Sequence, residues 1–163
     1  MKKALTYISL VLLFVFQTSA GPYIKIFGVL PGIVLTFAVC YSLTNTTFKS
    51  AAVGLVCGLL TDSATSGAFG LDALIMMYLA IAVSYFSRKF YHENKLFAVC
   101  SVMLFTVVYE TVSLGISVLM VSDVPIFFSF IRIVIPEAIY NAVITIPVFM
   151  LVKWLNNEYI RGI

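Results

Sequence analysis

The chain is a succession of long apolar stretches separated by short polar breaks, and that pattern decides what it can fold into. The runs fall at about 4–19, 24–43, 50–60, 69–86, 95–120 and 127–155. A helix rises about 1.5 Å per residue, so roughly 20 residues cross the hydrocarbon of a bilayer. The six runs predict six transmembrane helices in one integral membrane domain over residues 1–163. Segments of about ten residues with alternating hydrophobicity, which an outer-membrane barrel requires, do not occur. Helices are then the way to satisfy backbone hydrogen bonds in lipid, and the expected fold class is all-α, a polytopic membrane helical bundle.

Composition agrees and excludes several functions. Hydrophobic residues make up 62 % and charged residues 10 %, against roughly 45–50 % and 25 % in soluble domains. The net charge is only +3 and the ten basic residues are scattered, so no stripe exists to track phosphates and nucleic-acid binding is not expected. Cys40, Cys57 and Cys100 each sit in an apolar run without CxxC spacing and read as small buried thiols. With His92 the single histidine, no metal and no cofactor are expected. The chain carries no Gly-x-Ser-x-Gly elbow, HExxH or phosphate loop, so the reading is not an enzyme.

Orientation follows the basic residues. With the N-terminus inside, Lys2, Lys3, Lys49, Arg88, Lys89, Lys95, Lys153 and Arg161 collect on the cytoplasmic side, and Lys25 alone lies outside. Both termini are therefore expected in the cytoplasm. Lys2-Lys3, an apolar stretch and Thr18-Ser19-Ala20 imitate a secretory signal peptide, but the favoured reading is a retained first helix.

The third run is short, and the polar segment from Thr61 to Gly67 either caps it or dips into the membrane as covered non-helical backbone. Ser50, Gly54 and Gly58 recur every four residues, a small-residue face for internal helix packing or for a partner interface. Asp62, Gly67, Gly70 and Asp72 form a junction in which Asp62, Ser63 and Ser66 can accept orphan amide hydrogens at helix ends. A cation site on Asp62 and Asp72 lacks further ligands nearby. Glu110, Arg132 and Glu137 lie within spans, and each must face the bundle interior and find a partner. The natural pairing is Arg132 with Glu110 or Asp62. It would fix helix register; a polar surface offered to a partner and a transport path are the other readings. Asn141 follows Glu137 by one turn on the same stripe, and Pro31, Pro136 and Pro147 should disturb their helices.

Two stretches carry a resemblance. Gly54-Leu-Val-Cys-Gly58-Leu-Leu-Thr-Asp62 with Gly67-Ala-Phe-Gly70-Leu-Asp72-Ala-Leu, and Pro136-Glu-Ala-Ile-Tyr-Asn141-Ala-Val-Ile-Thr-Ile-Pro147, resemble the bacterial rod-shape-determining protein MreD family. That family shows a Gly-Leu-x-x-Asp element followed by Gly-x-x-Gly-Leu-x-Ala-Leu at the start of the next helix. Asp72 departs from it, standing where many relatives have a neutral polar residue. The resemblance implies a multi-pass, non-enzymatic scaffold of the cell-elongation complex in the bacterial plasma membrane. Its implied partners are membrane lipid, an MreC-like single-pass protein and, through it, MreB-like filaments and the cell-wall synthases, with no small-molecule substrate. The six-helix layout also resembles the S-components of energy-coupling-factor vitamin transporters, in which outer loops close over a vitamin; few groups suited to a ligand stand in the outer loops here.

Overall fold

A computed structural model of the chain describes residues 2–20, 23, 30–64, 70–90, 95–120 and 130–160. Six helices account for almost all of them: α1 (Lys2–Ala20), α2 (Ile33–Thr44), α3 (Thr47–Ala64), α4 (Leu71–Phe90), α5 (Lys95–Met120) and α6 (Ile135–Ile160). No strand occurs among the described residues. Three segments, Leu71–Arg88, Lys95–Ile116 and Arg132–Asn156, are long and apolar enough to cross a membrane, while Leu5–Ser19 and Ile33–Thr44 are shorter apolar helices.

The bundle is organised around α2. Ten of its twelve residues, from Ile33 to Leu43, are buried, and it touches each of the other five helices. A helix that is apolar all round has no face to give to the surroundings and belongs in the middle. Phe37, Val39 and Cys40 lie at the centre of the core with Leu10, Val102, Phe149 and Val152 around them. The outside of the bundle is apolar as well, with Leu12, Leu74, Leu104 and Val143 exposed. Apolar residues on both sides are what a chain solvated by lipid requires. Cys100 belongs to that outer surface rather than to the core, which corrects the reading of all three cysteines as buried; Cys40 and Cys57 are buried.

The structure moves two helix ends predicted from sequence. The second run was expected to be helical from residue 24, yet Leu30, Pro31 and Gly32 are non-helical and α2 starts only at Ile33. Pro31 cannot donate a backbone hydrogen bond, and the break survives because Pro31 is buried under protein. The third run goes the other way. Its helix continues through Thr61, Asp62 and Ser63 to Ala64 and begins at Thr47, so its polar end is helical; residues 65–69, Gly67 among them, lie outside the described part.

The disturbance expected at Pro136 takes the form of a widened turn. A π-helical turn, Phe130–Val134, leads directly into α6. Pro136 withholds the amide hydrogen that the carbonyl four residues earlier needs, and a wider turn is a common way to accommodate the loss. α6 continues unbroken through Pro147.

Candidate functional site

α3 and α4 are the most closely packed pair of helices, because α3 has no side chain where they meet. A Cβ added to Gly54 would lie 2.7 Å from both the Ala80 Cβ and the Met76 carbonyl oxygen. At Gly58 it would meet backbone: the Asp72 oxygen at 2.5 Å, the Ala73 nitrogen at 2.6 Å and, closest of all, the Ala73 Cα. Ser50 completes the stripe, fully buried, with its hydroxyl donating to the Thr46 carbonyl at 3.0 Å. The face predicted from the four-residue spacing is thus occupied inside the bundle by α4.

One turn past Gly58 the same approach becomes a polar contact. Asp62 directs its two carboxylate oxygens at the start of α4, where Oδ1 accepts the Asp72 amide at 3.2 Å and Oδ2 accepts the Ala73 amide at 3.1 Å. The first amides of a helix have no partner in their own helix, and here a carboxylate from the preceding helix supplies one. Gly70 precedes α4 with φ of +100°, a left-handed value that favours glycine, and its carbonyl accepts the Leu74 amide. Asp72 in turn receives a hydrogen bond from the Tyr109 hydroxyl on α5.

From Glu110, the neighbour of Tyr109, the belt passes to α6. The Glu110 and Glu137 carboxyl groups hydrogen-bond each other, and Glu137 also bonds the Asn141 side chain. A bond between two carboxyl groups needs one proton between them. Asn141, fully buried, donates from Nδ2 to Thr106 Oγ1 at 3.1 Å and accepts at Oδ1 from the Gly32 amide at 2.9 Å. The Val34 amide donates to Gln17 Oε1 on α1 at 2.8 Å. Gln17 and Asn141 therefore serve the amides where α2 begins below the end of the bundle, where water would otherwise have to reach them. All six helices are tied at this one end. A cavity of about 310 Å³ opens beside the belt, bordered by Gln17, Thr61, Tyr109, Glu110 and Glu137.

The carboxyl groups expected to pair with Arg132 have other partners. Glu110 turns to Glu137 and Asp62 to the amides of α4, while Arg132 has an exposed side chain at the entry to α6. A carboxyl can be satisfied by a shared proton or by amide hydrogens as well as by a cation, and both alternatives are used. Among the described residues no three His, Cys, Asp or Glu side chains gather as metal ligands would. The depth match of Glu110 with Glu137 and the shared stripe of Glu137 and Asn141 hold in the structure. Gln17, Gly32, Thr106 and Tyr109 are members that the sequence reading missed. Gln17 is the one glutamine of the chain, set in an apolar run, and could have drawn notice on that ground.

Replacing Asn141 by leucine keeps the volume roughly constant and strands the Gly32 amide inside the bundle. The expected cost is about 1–3 kcal/mol, the penalty of one buried donor without a partner. A lowered melting temperature in detergent checks it, and Asn141→Gln should recover less than half of the loss because its longer arm cannot meet both Gly32 and Thr106.

Residues 1–158 match the family model of the rod shape-determining protein MreD. The chain belongs to the MreD family. No curated protein and no solved structure matches it. Membership places the chain among membrane proteins of rod-shape determination, a shape-determining family and not a known enzyme family. It lends no support to the vitamin-transporter reading. In this chain Gly58, Asp62, Gly70 and Asp72 together form the junction between α3 and α4, since each of these residues contacts or initiates α4.

Proposed function

We propose that the chain is a scaffold of the cell-elongation complex, crossing the bacterial plasma membrane six times with both termini in the cytoplasm. It holds the membrane anchor of an MreC-like single-pass protein and thereby helps couple MreB-like filaments to the cell-wall synthases. The family match over residues 1–158 carries this reading. The geometry adds a reason for a non-catalytic role. Glu110, Glu137 and Asn141 spend their polar groups on one another, on the Thr106 hydroxyl and on the Gly32 amide. What the bundle offers outward is apolar helix surface, with Arg132 as an exposed cation at the head of α6.

Arg132 is accordingly the residue most suited to meet a polar group on a partner helix, where a hydrogen bond is worth about 1–2 kcal/mol. Co-purification of the tagged chain with the MreC-like protein in mild detergent tests the reading. Capture by the unmodified chain is expected, and Arg132→Ala should lower it roughly tenfold with a smaller loss of thermal stability than of capture. Failure of the unmodified chain to retain the partner would overturn the scaffold reading. A loss in Arg132→Ala accompanied by an equal loss of thermal stability would assign Arg132 to folding instead.

A further inference from the structure

Glu110 on α5 and Glu137 on α6 are held to each other by a hydrogen bond between two acids, so a proton is a structural component of this end of the bundle. Glu137 is only 8 % exposed, and it is hemmed in toward α2, where a Cβ added to Gly32 would lie 2.8 Å from its Oε1 and 3.0 Å from Asn141 Nδ2. Both carboxyl groups also border the cavity of about 310 Å³, together with Gln17 and Tyr109. The pair therefore has room to separate into, though not toward Gly32. We propose that it is a proton-operated latch: with its proton it ties α5 to α6 and, through Asn141, to the start of α2, and on losing the proton it opens into the cavity.

The driving force is repulsion. Without the proton two carboxylates face each other at hydrogen-bonding distance, and inside the bundle that repulsion is screened far less than in water. The other ionisable groups that the described helices bring to this end are Tyr109 on α5, Asp72 on α4, Asp62 on α3, and Tyr140 and Arg132 on α6 and at its entry. Tyr109 donates to Asp72 and Asp62 accepts from the amides of α4, while Asp72 adds its own negative charge to the field at Glu110. The sign of the pH dependence follows from counting protons. In the unfolded chain both glutamates ionise at about pH 4.3, whereas the folded pair keeps one proton until it opens. Between those two points the folded state holds one proton more, so stability falls as pH rises, by about tenfold in the folding equilibrium for each pH unit. Opening also frees Glu137 from Asn141, whose Oδ1 serves the Gly32 amide, so the release is transmitted to the first turn of α2.

Unfolding of the full chain in detergent across a series of pH values, with infrared spectra of the same samples, tests the latch. The unmodified chain should show the stretching band of a protonated carboxyl at neutral pH and lose it at alkaline pH, with stability falling at the slope of one proton. Exchange at the Gly32 amide, corrected for its intrinsic dependence on pH, should rise as the band disappears. Glu110→Gln and Glu137→Gln each put amide hydrogens, which stay at any pH, in the place of the shared proton; both should remove the band and flatten the fall. Asp72→Asn, which changes the nearest other acid, should keep both the band and the slope. If either glutamine variant does not fold, the other and the unmodified chain decide. A stability profile of the unmodified chain that does not fall overturns the proposal, as do a neutral-pH spectrum without the band, an undiminished slope in the glutamine variants, and Gly32 exchange that stays constant while the band is lost.

Discussion

Gly58→Leu is expected to abolish the ability of the chain to restore rod shape in cells that lack it, with little folded protein recoverable in detergent. The reason is the identity of the atoms in the way. At Gly58 the nearest neighbours of a new Cβ are the Asp72 carbonyl, the Ala73 amide nitrogen and the Ala73 Cα, all backbone of α4. A flexible side chain could swing aside, but backbone moves only with its helix. Inside a membrane bundle this loss is severe, because close van der Waals packing between helices does the work that the hydrophobic effect does in water. Overpacking alone costs about 1–3 kcal/mol. Displacing α4 also pulls the Asp72 and Ala73 amides away from Asp62, so the two penalties add. Gly115 is the control within the same molecule: nothing lies within 4 Å of a Cβ there, and Gly115→Leu should retain shape and stability. Melting of Gly58→Leu at the unmodified temperature would mean that α3 and α4 do not meet this closely.

How much of this was legible in the sequence depends on what each residue type can signal. The spacing of Ser50, Gly54 and Gly58 identifies a face, because a helix repeats about every 3.6 residues. It cannot identify the neighbour, since lipid, α4 and a partner protein all tolerate a smooth surface. Asp62 was readable as a cap because a carboxylate before a new apolar run has few other uses. That it caps the following helix from a position still inside α3 required knowing that α3 runs to Ala64. The break at Pro31 and Gly32 was hidden for a related reason. The sequence around it is as apolar as a lipid-facing helix, and only the position of α2 at the centre allows a helix to begin deep in the bundle. There its amides are served by Gln17 and Asn141.

The polar residues of the spans show where a charge rule misleads. Pairing Arg132 with an acid follows from the cost of burying either ion alone. At Glu110 the structure meets the requirement with a hydrogen bond: the two glutamates, from α5 and α6, share it, and Asn141 completes the chain to α2. Depth along each helix, which can be counted from the sequence, correctly brought Glu110 level with Glu137. Which of several groups at one depth meet is decided by helix rotation, and rotation is set by packing faces such as Gly54 and Gly58 far along the chain.

Asp62→Ala should cost about 2–4 kcal/mol, from one buried and one half-buried amide each losing a charged acceptor. The distances give the order of the milder variants. Each oxygen of Asp62 serves one amide, Asp72 at 3.2 Å and Ala73 at 3.1 Å, so Asp62→Asn keeps one acceptor and should lose about half as much. Melting in detergent measures the size of the effect, and hydrogen exchange at the Asp72 and Ala73 amides locates it. Both amides should exchange faster in Asp62→Ala than in the unmodified chain, while those in the middle of α4 do not. The change should also travel. Asp72 is held where the Tyr109 hydroxyl can reach it because its own amide is fixed by Asp62, so freeing the first turn of α4 loosens its contact with α5. Tyr109→Phe removes that contact directly, and in combination with Asp62→Ala it should add less than it does alone, as expected for groups in one network. Strict additivity would show that the cap and the tyrosine act separately, and the belt would then be two unrelated contacts that happen to share an end of the bundle.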